Sequence, residues 1–180
     1  MNAMNTHYPD PTRVEPVNRH TLAVIVDNEP GVLARIAGLF SGRGYNIESL
    51  TVTETEHQQH ISRITIVTTG TNAVIEQIKA QLERLVPVHR VVDLTVQGEA
   101  MERELCLVKV VGKGENRVEA MRLASAFGAR TLDATLSSFV FELTGTTDEI
   151  ERFIALMAGI GLAEVSRTGI AAMSRGAEGM

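Results

Sequence analysis

The sequence predicts an α+β fold of two tandem βαββαβ units, and three observations predict it. Short runs of alternating apolar residues, such as Leu22, Val24 and Val26, interleave with segments such as Val32, Ile36, Leu39 and Phe40, whose apolar residues recur at helical spacing. The order strand-helix-strand-strand-helix-strand, read over residues 20–97, is met again over 104–170. Between the two lies a shift to polar and small residues, "QGEAMER" at 97–103.

The first elements follow from local chemistry. Residues 1–18 carry Pro9, Pro11 and Pro16 with little apolar periodicity and are expected to form a disordered leader. A strand over 20–27 runs into Asp27 and Asn28, polar residues able to cap a helix start. The helix is expected over 30–43, with Pro30 in its first turn and Gly31 where the turn closes. Gly42 and Gly44 end it, because glycine enters the left-handed cap conformation readily. Gly38 inside the helix is expected to mark close packing on a sheet, and Arg35 its solvated side. Strands follow over 46–55 and 60–69, joined by the polar loop "ETEHQQH". A helix over 72–86 presents Val74, Ile78, Leu82 and Leu85 on one face, entered at Thr71 or Asn72 and left near Pro87. A strand over 88–97 completes the unit.

The second unit repeats this order with a strand over 104–112, a helix over 115–128 and strands over 129–137 and 138–145. Thr146-Thr147-Asp148-Glu149 forms a capping box before a helix that turns Ile150, Phe153, Ile154 and Met157 inward. A closing strand spans 161–170. The expected domains are therefore 19–97, a linker at 98–103, a second unit at 104–170 and a tail at 171–180. Both units have the split βαβ, ferredoxin-like order, which leaves helices on one face of each sheet only. The open face and the edge strand 46–55 need cover, most simply from a second copy, so a homodimer is expected.

Composition bounds the function. A hydrophobic content of 44% supports a core, and the formal charge of −5 argues against nucleic-acid or anionic-membrane partners. Cys106, the single cysteine, excludes an internal disulfide and shares strand parity with Val108 and Val110, which reads as packing. No apolar run approaches transmembrane length and no signal-peptide layout opens the chain, so a cytoplasmic protein is expected. No catalytic triad, paired carboxylate or metal cluster emerges. His57, His60, Glu54 and Glu56 read as a solvated loop, and Gly112-Lys113-Gly114 as a turn, since Arg117 stands where a dinucleotide fingerprint needs its third glycine.

The most informative stretch is "DNEPGVLARIAGLFSGRGYNIESLTV" at 27–52. Free N–H groups at a helix start, unscreened by a side chain at Gly31, can receive a small anion such as a carboxylate. Asn46, following Tyr45, can shape the helix-to-strand turn or contact a ligand. That is a binding site more than a reaction site.

This stretch resembles the ACT domain, a small amino-acid-binding module. With "SRITIVTTG", "IEQIKAQLERLVPVHRVVDLT", "ERELCLVKV" and "SRG", it resembles the regulatory small subunit of acetolactate synthase over residues 20–176. The resemblance implies a noncatalytic subunit that activates a large catalytic subunit and makes it sensitive to valine, in branched-chain amino-acid biosynthesis. It implies no cofactor on this chain, with thiamine diphosphate, Mg and FAD on the catalytic partner. The family's valine site, carried to matching positions, is Asn28, Gly31, Val32 and Leu33 from one protomer with Asn46 and Ile47 from its neighbour. The second unit has "VVGKGENRV" in place of the turn motif, so no ligand site is expected there. A stand-alone amino-acid sensor acting on another enzyme or on gene expression remains an alternative, although neither a basic surface nor a DNA-binding unit is visible. RNA binding is disfavoured because "HISRITIVTT" offers no stacking aromatic residues.

Overall fold

The computed structural model describes residues 15–56, 58–96, 100–177 and 179. Most of the expected leader, His57, residues 97–99 of the inter-unit stretch, and residues 178 and 180 of the tail lie outside the described residues.

The first unit runs β1 (Asn18–Asp27), α1 (Val32–Arg43), β2 (Ser49–Glu56), β3 (Ile61–Gly70), α2 (Asn72–Leu82) and β4 (Val88–Asp93). Its strands form an antiparallel sheet in the order β2-β3-β1-β4. The second unit runs β5 (Met101–Val111), α3 (Glu115–Ala126), β6 (Arg130–Ala134), β7 (Ser138–Gly145), α4 (Thr147–Ala158), β8 (Leu162–Arg167) and β9 (Ala171–Met173). Its main sheet has the equivalent order β6-β7-β5-β8, and β9 pairs with the start of β5. The expected repeat is therefore present in topology as well as in sequence.

Strand alternation decides which side chains meet the helices. In β1, Leu22, Val24 and Val26 point to the helical side and pack with Ile36, Phe40, Ile75, Ile78 and Leu82. In β5, Cys106, Val108 and Val110 do the same against Ala120, Ile150, Phe153 and Met157. Burial pushes the Cys106 thiol above its ordinary pKa, as befits a packing residue.

Several boundaries move. α1 starts at Val32 because Gly31, with φ of 90°, takes the left-handed cap position and leaves Pro30 in the preceding turn. Neither Asp27 nor Asn28 caps it; the helix has no side-chain cap. β2 starts at Ser49, so Asn46 and Ile47 lie in an extended lead-in rather than in the strand. α2 is capped by Thr71, whose hydroxyl accepts from the Val74 amide, and ends at Leu82. Gly38 is exposed, and a Cβ there would meet nothing within 4 Å, so close packing does not explain it. Arg35 is exposed as expected.

The larger differences concern the inter-unit stretch and the tail. β5 begins at Met101, inside the expected linker, and β9 lies in the expected tail. The expected closing strand is broken, with β8 ending at Arg167 and a strap running on from Thr168 to Met173. Ile170 and Ala172 of that strap are buried against Ala23, Val67, Val92 and Leu94, on the helix-free face of the first sheet. Cover for this face, expected from a second copy, thus comes in part from the same chain. Among the described residues, β2 remains an edge strand with no strand paired on its outer side.

Candidate functional site

The turn between β1 and α1 is tied down from two directions. The Asp27 amide donates to the Pro87 carbonyl at 2.8 Å, and the Asn28 amide to the His60 carbonyl at 2.6 Å. Asp27 Oδ1 also lies 2.6 Å from His89 Nε2. His60 takes a φ of 52°, an uncommon conformation that turns the β2–β3 hairpin back towards this loop.

Gly31 then caps α1 with φ of 90° and ψ of −8°. A Cβ on it would meet nothing within 4 Å, so the space over the turn is open. The Val32 amide reaches the Glu29 carbonyl at 3.4 Å, a long contact, and the Arg35 amide reaches the Gly31 carbonyl at 3.0 Å. α1 has no side-chain cap and no acidic residue within its own first turn, with Glu29 in the loop just before it. Backbone amides at such a helix start can receive an anion, and Asn28 and Leu33 are exposed beside them. Val32 is 4% exposed and its side chain belongs to the core, so it offers no open apolar wall.

Asn46 and Ile47 sit elsewhere. The Thr68 hydroxyl donates to the Asn46 carbonyl at 2.6 Å, fixing the lead-in to β2 while the Asn46 side chain stays exposed. Ile47 is half-buried and packs on the core edge. The sheet register places these residues relative to the turn. Ser62 pairs with both Val26 and Glu54, whereas Val67 pairs with both Thr21 and Ser49. The two levels are separated along β3 by about 17 Å at ~3.4 Å per residue. Within one chain, therefore, the turn and the Asn46-Ile47 lead-in lie at opposite ends of the sheet.

The junction between the units holds polar groups that sequence reasoning did not single out. Glu104, 4% exposed, accepts two hydrogen bonds from Arg167, one of them from Nη2 at 2.7 Å. This pairing holds the Arg167 guanidinium pKa above its ordinary value. Arg19 Nη1 donates to Glu102 at 3.1 Å, and the Thr21 hydroxyl also donates to Glu102. A cleft of about 390 Å³ lies here between β2, β5 and the strap. These partners are far apart in sequence, so no spacing could have revealed them. Among the described residues, no group of His, Cys, Asp and Glu could hold a metal ion, and no helix is long and apolar enough to cross a membrane.

Comparison with known proteins agrees with this architecture. Residues 22–90 match the family model of the AHAS small subunit-like ACT domain, and residues 103–176 that of the small subunit of acetolactate synthase. A protein of Archaeoglobus fulgidus named "Probable acetolactate synthase small subunit" is 48% identical over 158 residues, covering 88% of this chain and 98% of that one. The acetolactate synthase isozyme 3 small subunit of Salmonella typhimurium is 43% identical over 159 residues, covering 88% of this chain and 96% of that one. The crystal structure of the acetolactate synthase small subunit from Thermotoga maritima superposes with a TM-score of 0.81 at 35% identity, over 89% of this chain and 99% of that one. The two matched domains, the extent of identity and the shared tandem fold agree: this chain belongs to the small-subunit family of acetolactate synthase.

Proposed function

We propose that this chain activates the thiamine-diphosphate-dependent catalytic subunit of acetolactate synthase and makes it sensitive to valine, through a site shared between two copies of the chain. Membership of the small-subunit family makes it a regulatory subunit rather than the enzyme, and implies a large catalytic partner. In this reading thiamine diphosphate, Mg and FAD belong to that partner, and the assembly is cytoplasmic.

The observation that carries the shared site is the separation of its two halves. β2 runs parallel to β1, since both pair antiparallel with β3. If the free edge of β2 pairs antiparallel with its counterpart across a two-fold axis, the start of the partner strand lies beside the end of this one. Asn46 and Ile47 of the partner subunit then approach the sheet end that carries Asn28 and Gly31. The ligand carboxylate meets the uncapped α1 amides, its ammonium group meets Asn46 of the partner subunit, and its branched side chain meets Leu33 and the partner subunit's Ile47. A ligand held this way binds only the assembled form, which is the differential affinity that regulation requires.

Calorimetric titration of the purified chain with valine, leucine and isoleucine, alongside rate measurements on the reconstituted holoenzyme, tests this reading. Valine is expected to bind the small subunit directly, and the catalytic rate is expected to rise with added subunit and fall with valine. Absence of binding to this chain, or a catalytic subunit indifferent to its addition, overturns the proposal.

A further inference from the structure

We propose that the strap Thr168–Met173 couples the amino-acid site to the second unit, with Ser49 and Arg63 as its anchors on the first sheet. This inference rests on the shared-site reading above.

The strap is held by both units: Ala171, Ala172 and Met173 pair with Arg103, Glu102 and Met101 of β5, while other contacts reach the first sheet. At its start the Thr168 amide donates to the Leu105 carbonyl at 3.0 Å, and the Leu105 amide donates to the Thr168 hydroxyl at 3.1 Å, fixing it to β5. The Ile170 amide then donates to Ser49 Oγ at 3.1 Å, and Arg63 Nη2 donates to the Ala172 carbonyl at 2.7 Å. Between these bonds Ile170 and Ala172 bury their side chains on the first sheet. Burial lowers the Arg63 pKa, in keeping with a guanidinium drawn under the strap.

Gly169 fits the strap to β2 closely. Its φ is 81°, and a Cβ there would stand 2.8 Å from Thr51 Oγ1 and 2.9 Å from Ser49 Oγ. Thr51 Oγ1 is itself buried with no hydrogen-bond partner among the described residues, so the strap sits on it without rewarding it. The contacted residues are the first of β2, immediately after the Asn46-Ile47 lead-in. A ligand that draws on Asn46 and Ile47 shifts the beginning of β2, and the strap is the element packed on that beginning. Through Thr168 any such shift reaches β5 and β8, whose Glu104–Arg167 pair lies beside the same junction. The coupling path is thus a short continuous set of hydrogen bonds and one close backbone approach.

The test uses the full-length chain reconstituted with its catalytic subunit. The double variant Ser49→Ala/Arg63→Gln removes both polar anchors and leaves the apolar cover in place. Valine affinity is read by calorimetry, and the inhibition midpoint and uninhibited rate by assay of the holoenzyme. The expected result is an affinity within about 3-fold of wild type, a retained uninhibited rate, and an inhibition midpoint raised at least 10-fold. Gly169→Ala, which presses on Ser49 and Thr51 instead of releasing them, provides a second variant and is expected to separate binding from inhibition as well. An inhibition midpoint that simply follows affinity in both variants, or does not move in either, overturns the strap's role. Failure of the wild-type chain to bind valine would instead overturn the site reading on which the strap's role depends.

Discussion

Gly31 combines a left-handed φ of 90° with open space around a Cβ built on it, so a side chain placed at the start of α1 meets no obstacle. Gly31→Asp sets a carboxylate where the ligand's carboxylate is proposed to bind. Left-handed backbone costs an L-residue ~1–2 kcal/mol, and Asp and Asn bear it better than most. The helix dipole returns ~0.3–1 kcal/mol of that to Asp. The variant is therefore expected to fold. Competition for the amides and repulsion of the ligand are expected to weaken valine binding by ~2–3 kcal/mol, roughly 30- to 150-fold. Gly31→Asn carries the same backbone cost without the charge and separates strain from repulsion. The expected phenotype of Gly31→Asp is an active, feedback-resistant holoenzyme, measured by calorimetry and by valine titration of the rate. Unchanged inhibition in a folded variant would place the ligand elsewhere.

At the scale of the element, legibility followed the range of the interaction that shapes each piece. The capping box of α4 is wholly local, and the structure has it as read: Thr146 Oγ1 accepts from the Glu149 amide at 3.3 Å, and the Thr146 amide donates to Glu149 Oε2 at 2.7 Å. The strand parity of Cys106, Val108 and Val110 was equally plain, because alternation is a property of neighbours. The strap was not legible. Ile170 and Ala172 stand among Gly169 and Ala171, too short an apolar pattern to announce a strand, and their burial depends on β1, β3 and β4 of the other unit. The start of β2 was misplaced for a similar reason, since Thr68 of β3 holds Asn46 in an extended lead-in. The two halves of the proposed site came from the family resemblance, and their separation along β3 is a matter of register. The α4 cap also carries a pH dependence. Donation from the Thr146 backbone, and then from its hydroxyl, holds the Glu149 carboxyl below the usual carboxylate range. A carboxyl depressed in the folded state stabilises above its unfolded value, ~4.3 for glutamate. That contribution is lost as pH falls through the lower folded value. Glu149→Gln is therefore expected to lower the melting temperature at neutral pH and to converge on wild type in acid. Parallel melting curves across that window would show that the charge on Glu149 contributes nothing.

For the whole molecule, the question is which surface remains for a second copy. The strap already covers part of the first sheet's open face, burying Ala23, Val67 and Leu94. Among the described residues the β2 edge is left unpaired, with Val52 44% exposed along it. An unpaired edge is a liability in isolation and a natural place for a symmetric partner. If that partner supplies Asn46 and Ile47, ligand binding and dimerisation are linked: valine tightens the dimer by the same factor by which the dimer tightens valine. A ligand that binds only the assembled form, at a hundred times its dissociation constant, adds ~2.7 kcal/mol to the stability of that form. The melting temperature is therefore expected to rise with valine and with protein concentration. Sedimentation at low protein concentration is expected to shift from monomer to dimer as valine is added. Disruption of the edge, by Val52→Pro, is expected to abolish both responses together, because proline removes a backbone donor and is poorly accommodated within a paired strand. A melting temperature that rises with valine while the variant stays monomeric would mean that one chain holds the entire site. A melting temperature indifferent to valine, at concentrations that fully inhibit the holoenzyme, would move the ligand to the catalytic subunit.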